Sequence, residues 1–359
     1  MLPACLLQLS HAVAAALHPA LGMDSLVSPR RLLRLALAAL PLASNAHAKK
    51  SLIVDTDLFS DVDDAGALLL AATSPNVNLL AVNVNYPSSY SALAASAIVA
   101  HYGHPDLPIG IVRPLTNDSF FDDFYFELGE YASKVSYHWS DGSLEWGNAG
   151  QAWDPVTLYR KLLSSQEDGS VTIASIGFFD NLSRLLNSTA DAFSNSSGVD
   201  LVVNKVSELV VTGGGYPSGY EYNFWGSNSS LTAHVVNNWP GKITFSGSEL
   251  GGNVTSGAPL TVRGPSNDPV AAAYRWYTGY NASRFSWDPL TVLYACQGLG
   301  DLFEYGNEFG YNYVHPNGSN DWVYDRNVTD QHWLQLKVDN ETAARELDRL
   351  FLEGAASAA

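Results

Sequence analysis

Residues 51–70, SLIVDTDLFSDVDDAGALLL, narrow the choice of fold more than any other stretch of this chain. A short apolar run, Leu52, Ile53 and Val54, ends in Asp55. Four more acids follow at Asp57, Asp61, Asp63 and Asp64, and a helical pattern of small and apolar residues begins at Ala65. Five carboxylates between positions 55 and 64 repel one another unless a positive charge sits among them. A hard cation with several oxygen ligands meets that need most simply. A strand that gives way to a helix through such a loop would hold the cation at its carboxyl end, where open α/β sheets keep their sites.

The rest of the chain repeats the alternation. Strand-like runs at 77–84, 107–112, 171–176, 209–212 and 242–245 are separated by helical stretches at 91–102, 155–164, 182–186 and 232–238. Further helices are expected at 269–278, 287–295 and 342–352. This rhythm predicts an α/β protein with an open, mostly parallel central sheet flanked by helices, Rossmann-like, in a single domain spanning 49–359. Residues 120–150, aromatic and acidic, read as a long surface insertion, and 310–325 read as loop.

Residues 1–48 read as a leader outside the fold. Within it, 23–48 begins with Arg30 and Arg31, continues through an apolar run, and ends in Ala46-His47-Ala48, a cleaved secretory signal peptide by pattern. Asn-x-Ser/Thr sequons at Asn117, Asn181, Asn187, Asn195, Asn228, Asn253, Asn281, Asn317, Asn327 and Asn340 fit a secreted, glycosylated chain. Cys296 is the only cysteine beyond the leader and sits in an apolar run, which suits a core position. A formal charge of −17 provides no basic stripe for nucleic acid or for an anionic membrane surface.

Several arrangements could use Asp55-Thr56-Asp57. An EF-hand loop counted from Asp55 would need Gly at the sixth position and Glu at the twelfth, where this chain has Ser60 and Gly66. That reading fails. A phosphatase with Asp55 as nucleophile leaves Asp61, Asp63 and Asp64 without a role, and a helix cap needs only one or two acids. The nine histidines form no HxxxH pair, which argues against zinc.

The stretch resembles the inosine–uridine-preferring nucleoside hydrolase family, whose mark is Asp-Thr-Asp followed by Asp-Asp at the start of a helix. Four further blocks match in order: VTIASIGFFDNLSRL at 171–185, LVVTGGG at 209–215, Glu221-Tyr222-Asn223, and Ser286-Trp287-Asp288. The resemblance implies calcium held by Asp57, Asp64 and Asp288 and by the backbone carbonyl of Asp180. It implies Asp63 as the acceptor of the attacking water's proton. Asp55, Asn85, Glu221 and Asn223 would lie on the ribose side. The expected activity is hydrolysis of a ribonucleoside to base and ribose, with a nucleoside as the small-molecule partner. Neither nucleic acid nor membrane is an expected partner, and self-association into a homo-oligomer stays open.

The chemistry suits these residue types on independent grounds. Cleaving an N-glycosidic bond passes through an oxocarbenium-like ribosyl cation attacked by water. A hard cation can orient the ribose hydroxyls and the water, a nearby carboxylate can take the proton, and an acidic pocket favours the positive sugar. Two extra residues before Asp63 introduce Asp61, which has no assigned role, and Phe59 stands where the family has Gly. Trp287 stands where many members have a His that protonates the departing base. Tryptophan cannot donate that proton but can stack on a purine, which suggests a purine preference. Trp139, Trp146, Trp153 and Tyr220 are candidates for pocket walls, with ordinary packing the simpler role. A calcium-dependent binding protein without turnover remains the rival from another class.

Overall fold

β1 (Lys50–Thr56), β2 (Val77–Val84), β3 (Ile109–Ile111), β4 (Val171–Ile176) and β5 (Val206–Thr212) follow in the expected order along the computed structural model, which describes residues 49–120 and 129–358. The remaining strands are β6 (Ser218–Tyr220), β7 (Ile243–Ser246), β8 (Thr255–Ser256), β9 (Arg284–Phe285), β10 (Phe303–Tyr305), β11 (Tyr311–Val314), β12 (Ser319–Val323) and β13 (Gln331–Leu336). Eight strands form the central sheet in the order β10-β13-β7-β5-β4-β1-β2-β3. All its pairings are parallel except the one at the edge between β10 and β13. The leader falls outside the described residues. Among those described, no helix is long and apolar enough to cross a membrane.

β1 is buried on both faces because its side chains alternate between two cores. Leu52 and Val54 join the cluster containing Leu68, Leu69 and Phe351, whereas Ile53 joins Leu158, Leu182 and Leu209 on the other face. The chain leaves β1 for β2 and β3 on one side, then returns to β4 on the other. The change of direction opens a crevice at the carboxyl ends of β1 and β4, the position where such sheets bind ligands. Register aligns those ends: Thr56 pairs with Val84 and with Ile176, and Thr212 pairs with Ser246.

Two stretches differ from expectation. Within 120–150 the structure has a helix at Ala132–His138 and a short 3-10 turn at Ala149–Gln151. Tyr131 and Val135 bury on one face of that helix, a spacing of one turn that its polar neighbours obscure in the sequence. Residues 311–323 are not loop but the antiparallel pair β11–β12, extended by β6 into a second sheet. Its inward positions include Asn312 and Asn320, so the polar and apolar alternation that announces a half-buried strand is broken. Asn320 is committed internally: its Nδ2 donates to the backbone carbonyl of Gly215 and to Asn312 Oδ1 at 2.9 Å each, and its Oδ1 accepts from Gly215 N–H at 3.0 Å. The small sheet thereby braces the loop that follows β5.

Candidate metal and substrate site

The strand ends place one carboxylate below the crevice and several above it. Asp55, still within β1, is fully buried and lies beneath the cavity wall. It accepts from Asn85 Nδ2 at 2.6 Å, Tyr159 hydroxyl at 2.7 Å and Asn181 Nδ2 at 3.2 Å. Burial pushes its carboxyl up to about 7 against those hydrogen bonds. Tyr159 and Asn181 escape sequence reading because they lie more than a hundred positions from Asp55. Asn181, read as a sequon, is buried with its amide turned inward, whereas every other sequon asparagine is exposed.

Above Asp55, two helices point their N-termini at one spot. Asp63 and Asp64 open the helix Asp63–Thr73, and Asp288 lies in the first turn of Trp287–Gln297. In neither helix does the N-cap residue's own side chain cap the first turn, and the positive end of each helix dipole faces these acids. Asp63, Asp64 and Asp288 each offer an oxygen within 4.8 Å of the others. Asp64 accepts from the Thr56 hydroxyl and from Leu58 N–H, and Asp63 Oδ2 accepts Asp288 N–H at 3.1 Å. Asp57 follows β1 directly, with Gly177 pressed against it. A β-carbon at Gly177 would lie 2.5 Å from Asp57 N and 2.9 Å from Asn85 Nδ2, so that approach requires glycine.

Exposure of these four acids does not exceed 7%. Burial raises the carboxyls of Asp63, Asp64 and Asp288 well above the usual range, and carboxylate neighbours raise them further. Asp57 is pushed up to about 7 by burial, then by Asp61 and Asp55. Buried carboxylates persist when protonated or when matched by positive charge. A cluster made only of hard oxygen donors fits a hard cation such as calcium and offers no soft ligand for a thiophilic metal.

The cavity above the cluster has a volume of about 710 Å³. Asp57, Asp63, Asp64, Glu221, Asn223 and Asp288 all face it. The Glu221 carboxyl is held by Asn223 N–H at 2.9 Å and Gly214 N–H at 3.2 Å, and burial pushes it up to about 7. Tyr220, Tyr222 and Trp225 form one aromatic wall, while Phe120, Tyr277 and Trp287 belong to another. The Trp287 indole N–H donates to the Ser248 carbonyl at 2.9 Å. Trp139, Trp146 and Trp153 do not line this cavity. Asn85 and Asp180 face an adjoining cavity of about 440 Å³, and Tyr222 borders both.

Asp61, unassigned from sequence, forms a two-point ion pair with Arg284, with Nε at 3.0 Å and Nη2 at 2.5 Å from Oδ2. Arg284 lies on the short strand β9, 223 positions away, and no sequence signal connected the two. Asp61 is also fixed through its backbone carbonyl, which accepts the Tyr131 hydroxyl at 2.6 Å.

No family model matches the sequence. Among curated proteins, an uncharacterised protein of Schizosaccharomyces pombe is 27% identical over 163 residues, 44% of this chain. The match spans about half the length of that relative, 50%. Solved structures agree over far more of the chain. A plant nucleoside hydrolase superposes with a TM-score of 0.61 at 17% identity, covering 84% of this chain and 99% of its own. An inosine-uridine preferring nucleoside hydrolase from Bacillus anthracis gives 0.60 at 16% identity, covering 86% and 99%. An inosine-guanosine nucleoside hydrolase gives 0.61 at 17% identity, covering 84% and 98%. The architecture is therefore that of a nucleoside hydrolase-like α/β protein. The fold implied by the sequence resemblance is the one observed.

Proposed function

We propose that the chain is a calcium-dependent ribonucleoside hydrolase with a preference for purines. The observation that carries this reading is the buried group Asp63, Asp64 and Asp288 opening onto a cavity shared with Glu221 and Asn223. The fold shared with solved nucleoside hydrolases supports reading that constellation as a nucleoside site rather than a generic cation site. Bound calcium would supply Lewis-acid activation of water and a template for vicinal ribose hydroxyls.

The chain's own residues divide the remaining work. Glu221 and Asn223 are pre-set for ribose hydroxyls, since backbone N–H groups orient the carboxylate and Asn223 Nδ2 is turned to the Thr212 carbonyl at 3.3 Å. Asp63 takes the proton of the attacking water: its Oδ2 is fixed on Asp288 N–H, which leaves Oδ1 for water. The acid-lined floor favours the positive charge that grows on the sugar. Trp287, with its indole N–H occupied, offers a flat face for the base. Asp55 holds Asn85 and Asn181 in place from below.

Purified protein with calcium should release ribose from inosine, adenosine or guanosine faster than from uridine, and a chelator should stop it. No release from any of them sinks the hydrolase reading, and calorimetric binding without product selects a binding protein instead.

Acidity provides a second check. In the metal-free protein the folded carboxyl of Asp57 sits near 7 against an ordinary 3.8, so the folded state binds more protons than the unfolded one between those values. Stability of the metal-free form therefore falls as pH rises from about 4 to about 7 and stays low above that. Calcium should remove this loss, and the gain in melting temperature on adding it should be larger at pH 8 than at pH 5. An equal gain at both values would count against a carboxylate cation site.

The same reading places the protein outside the cell. The signal pattern before residue 49 and the exposed sequons support it. Terminal sequencing of protein recovered from medium should find a start near residue 49, and an intact Met1 or Met23 would refute the cleavage.

A further inference from the structure

Hydrolysis develops one charge that none of the residues given a role in the hydrolase reading meets. When the C1′–N bond breaks, its electron pair stays on the base nitrogen. Water's oxygen bonds C1′, one water proton goes to the carboxylate, and the departed base regains a proton from solvent. In the transition state the base therefore carries growing negative charge, and a donor or cation beside it lowers the barrier. Most of the cavity is ill suited to that task, because Asp57, Asp61, Asp63, Asp64, Glu221 and Asp288 repel an anion. Trp287 lines the cavity, but its one polar hydrogen is committed to the Ser248 carbonyl. Among the described residues that line the cavity, Arg284 is the only cation, and there is no histidine or lysine.

We propose that Arg284 is the leaving-group residue of this site, donating from its guanidinium to a ring-nitrogen or oxo acceptor of the departing base, with Asp61 as its positioning residue. The proposal rests on the hydrolase reading and extends it to the base side. Asp61 grips Nε and Nη2, which fixes the plane of the guanidinium and leaves Nη1 without a hydrogen-bond partner among the described residues. The same group lies 5.3 Å from the Phe285 ring centroid, 5.6 Å from Trp287 and 5.8 Å from Tyr277. A flat cation among aromatic faces in a part-buried wall suits a heteroaromatic ring, and arginine does this where lysine, a compact hydrated charge, does not. β9 holds the residue there: Arg284 pairs with Ser256 of β8, three positions before the start of the helix that bears Asp288. This gives the extra acid of the opening loop a purpose. Asp61 fixes the cation without lying among the three carboxylates that approach within 4.8 Å.

The test compares two ribosides that differ in how much help the leaving group needs. Inosine must expel a poor leaving group, whereas 4-nitrophenyl riboside expels a phenolate that carries its own charge. In calcium-loaded protein, Arg284→Gln should lower kcat on inosine by about 10²- to 10³-fold, the usual effect of removing one donor to a developing anion. Its loss on the nitrophenyl riboside should be smaller by at least about tenfold, since less charge needs stabilising. Arg284→Lys, which keeps the charge and loses the fork, should recover roughly tenfold on inosine. Equal losses on both ribosides, or a change confined to KM, would overturn the assignment and leave Arg284 a structural residue. If the glutamine variant does not fold, the lysine variant alone decides by whether its losses on the two substrates are unequal. A wild-type protein inactive on both ribosides is a different outcome, and it removes the hydrolase reading along with this one.

Discussion

Asp288→Asn should weaken calcium binding by about two orders of magnitude, near 2.7 kcal/mol, although the Asp-rich loop is untouched. The substitution keeps the shape of the side chain and the start of its helix and removes one of three buried carboxylates that meet within 4.8 Å. Its effect on the metal-free protein should have the opposite sign. Asp288 is pushed up first by burial and then by Asp63, Asp64 and Asp57, so a neutral amide relieves repulsion that the metal-free state otherwise bears. Metal-free Asp288→Asn should therefore melt a few degrees higher than the parent, at roughly 2 °C per kcal/mol for a domain of this size. Calorimetric titration with calcium and melting in chelator read the two effects separately. A variant that binds calcium like the parent would exclude Asp288 from the shell.

Asp63→Asn should lower kcat by about 10²- to 10⁴-fold, the range attributed to a positioned proton acceptor, with a much smaller change in calcium affinity. Asp57→Asn should show the reverse balance, a marked loss of calcium affinity carrying the loss of turnover with it. The pair must be measured together. Asp63 stands closer to Asp64 and Asp288 in the three-carboxylate group, while Asp57 faces the same cavity from the end of β1. If Asp57→Asn abolishes turnover at saturating calcium while Asp63→Asn mainly weakens the metal, proton transfer belongs to Asp57 and the two roles are exchanged.

Local chemistry was legible where one element carried it whole. The strand, loop and helix of residues 50–73 announce themselves through an apolar run, a set of acids and a restart in small and apolar residues, and the βαβ rhythm carries through to β7. Legibility failed where a buried position is polar. Asn312 and Asn320 face inward in β11 and β12, so the pattern of burial is not a pattern of hydrophobicity. It failed again at Asp55, whose partners Asn85, Tyr159 and Asn181 come from the loop after β2 and from two separate helices. A sequon motif at Asn181 pointed to the surface, while the fold turned its amide onto a buried carboxylate.

What the sequence by itself determined was the inventory: an α/β chain with a dense acidic loop at the end of its first strand, and later acids and aromatics in a telling order. Those properties are set by local pattern and composition, which need no knowledge of distant contacts. What only the tertiary structure decided was which acids meet. Register and the reversal of strand order bring Asp63 and Asp64 beside Asp288 from the other end of the chain, and remove Asp55 beneath the cavity floor. Asp61, equal to its neighbours on paper, is drawn out of the group by Arg284. The reason is electrostatic: in a buried setting each carboxylate is defined by what lies within a few ångströms, and those neighbours are supplied by the fold.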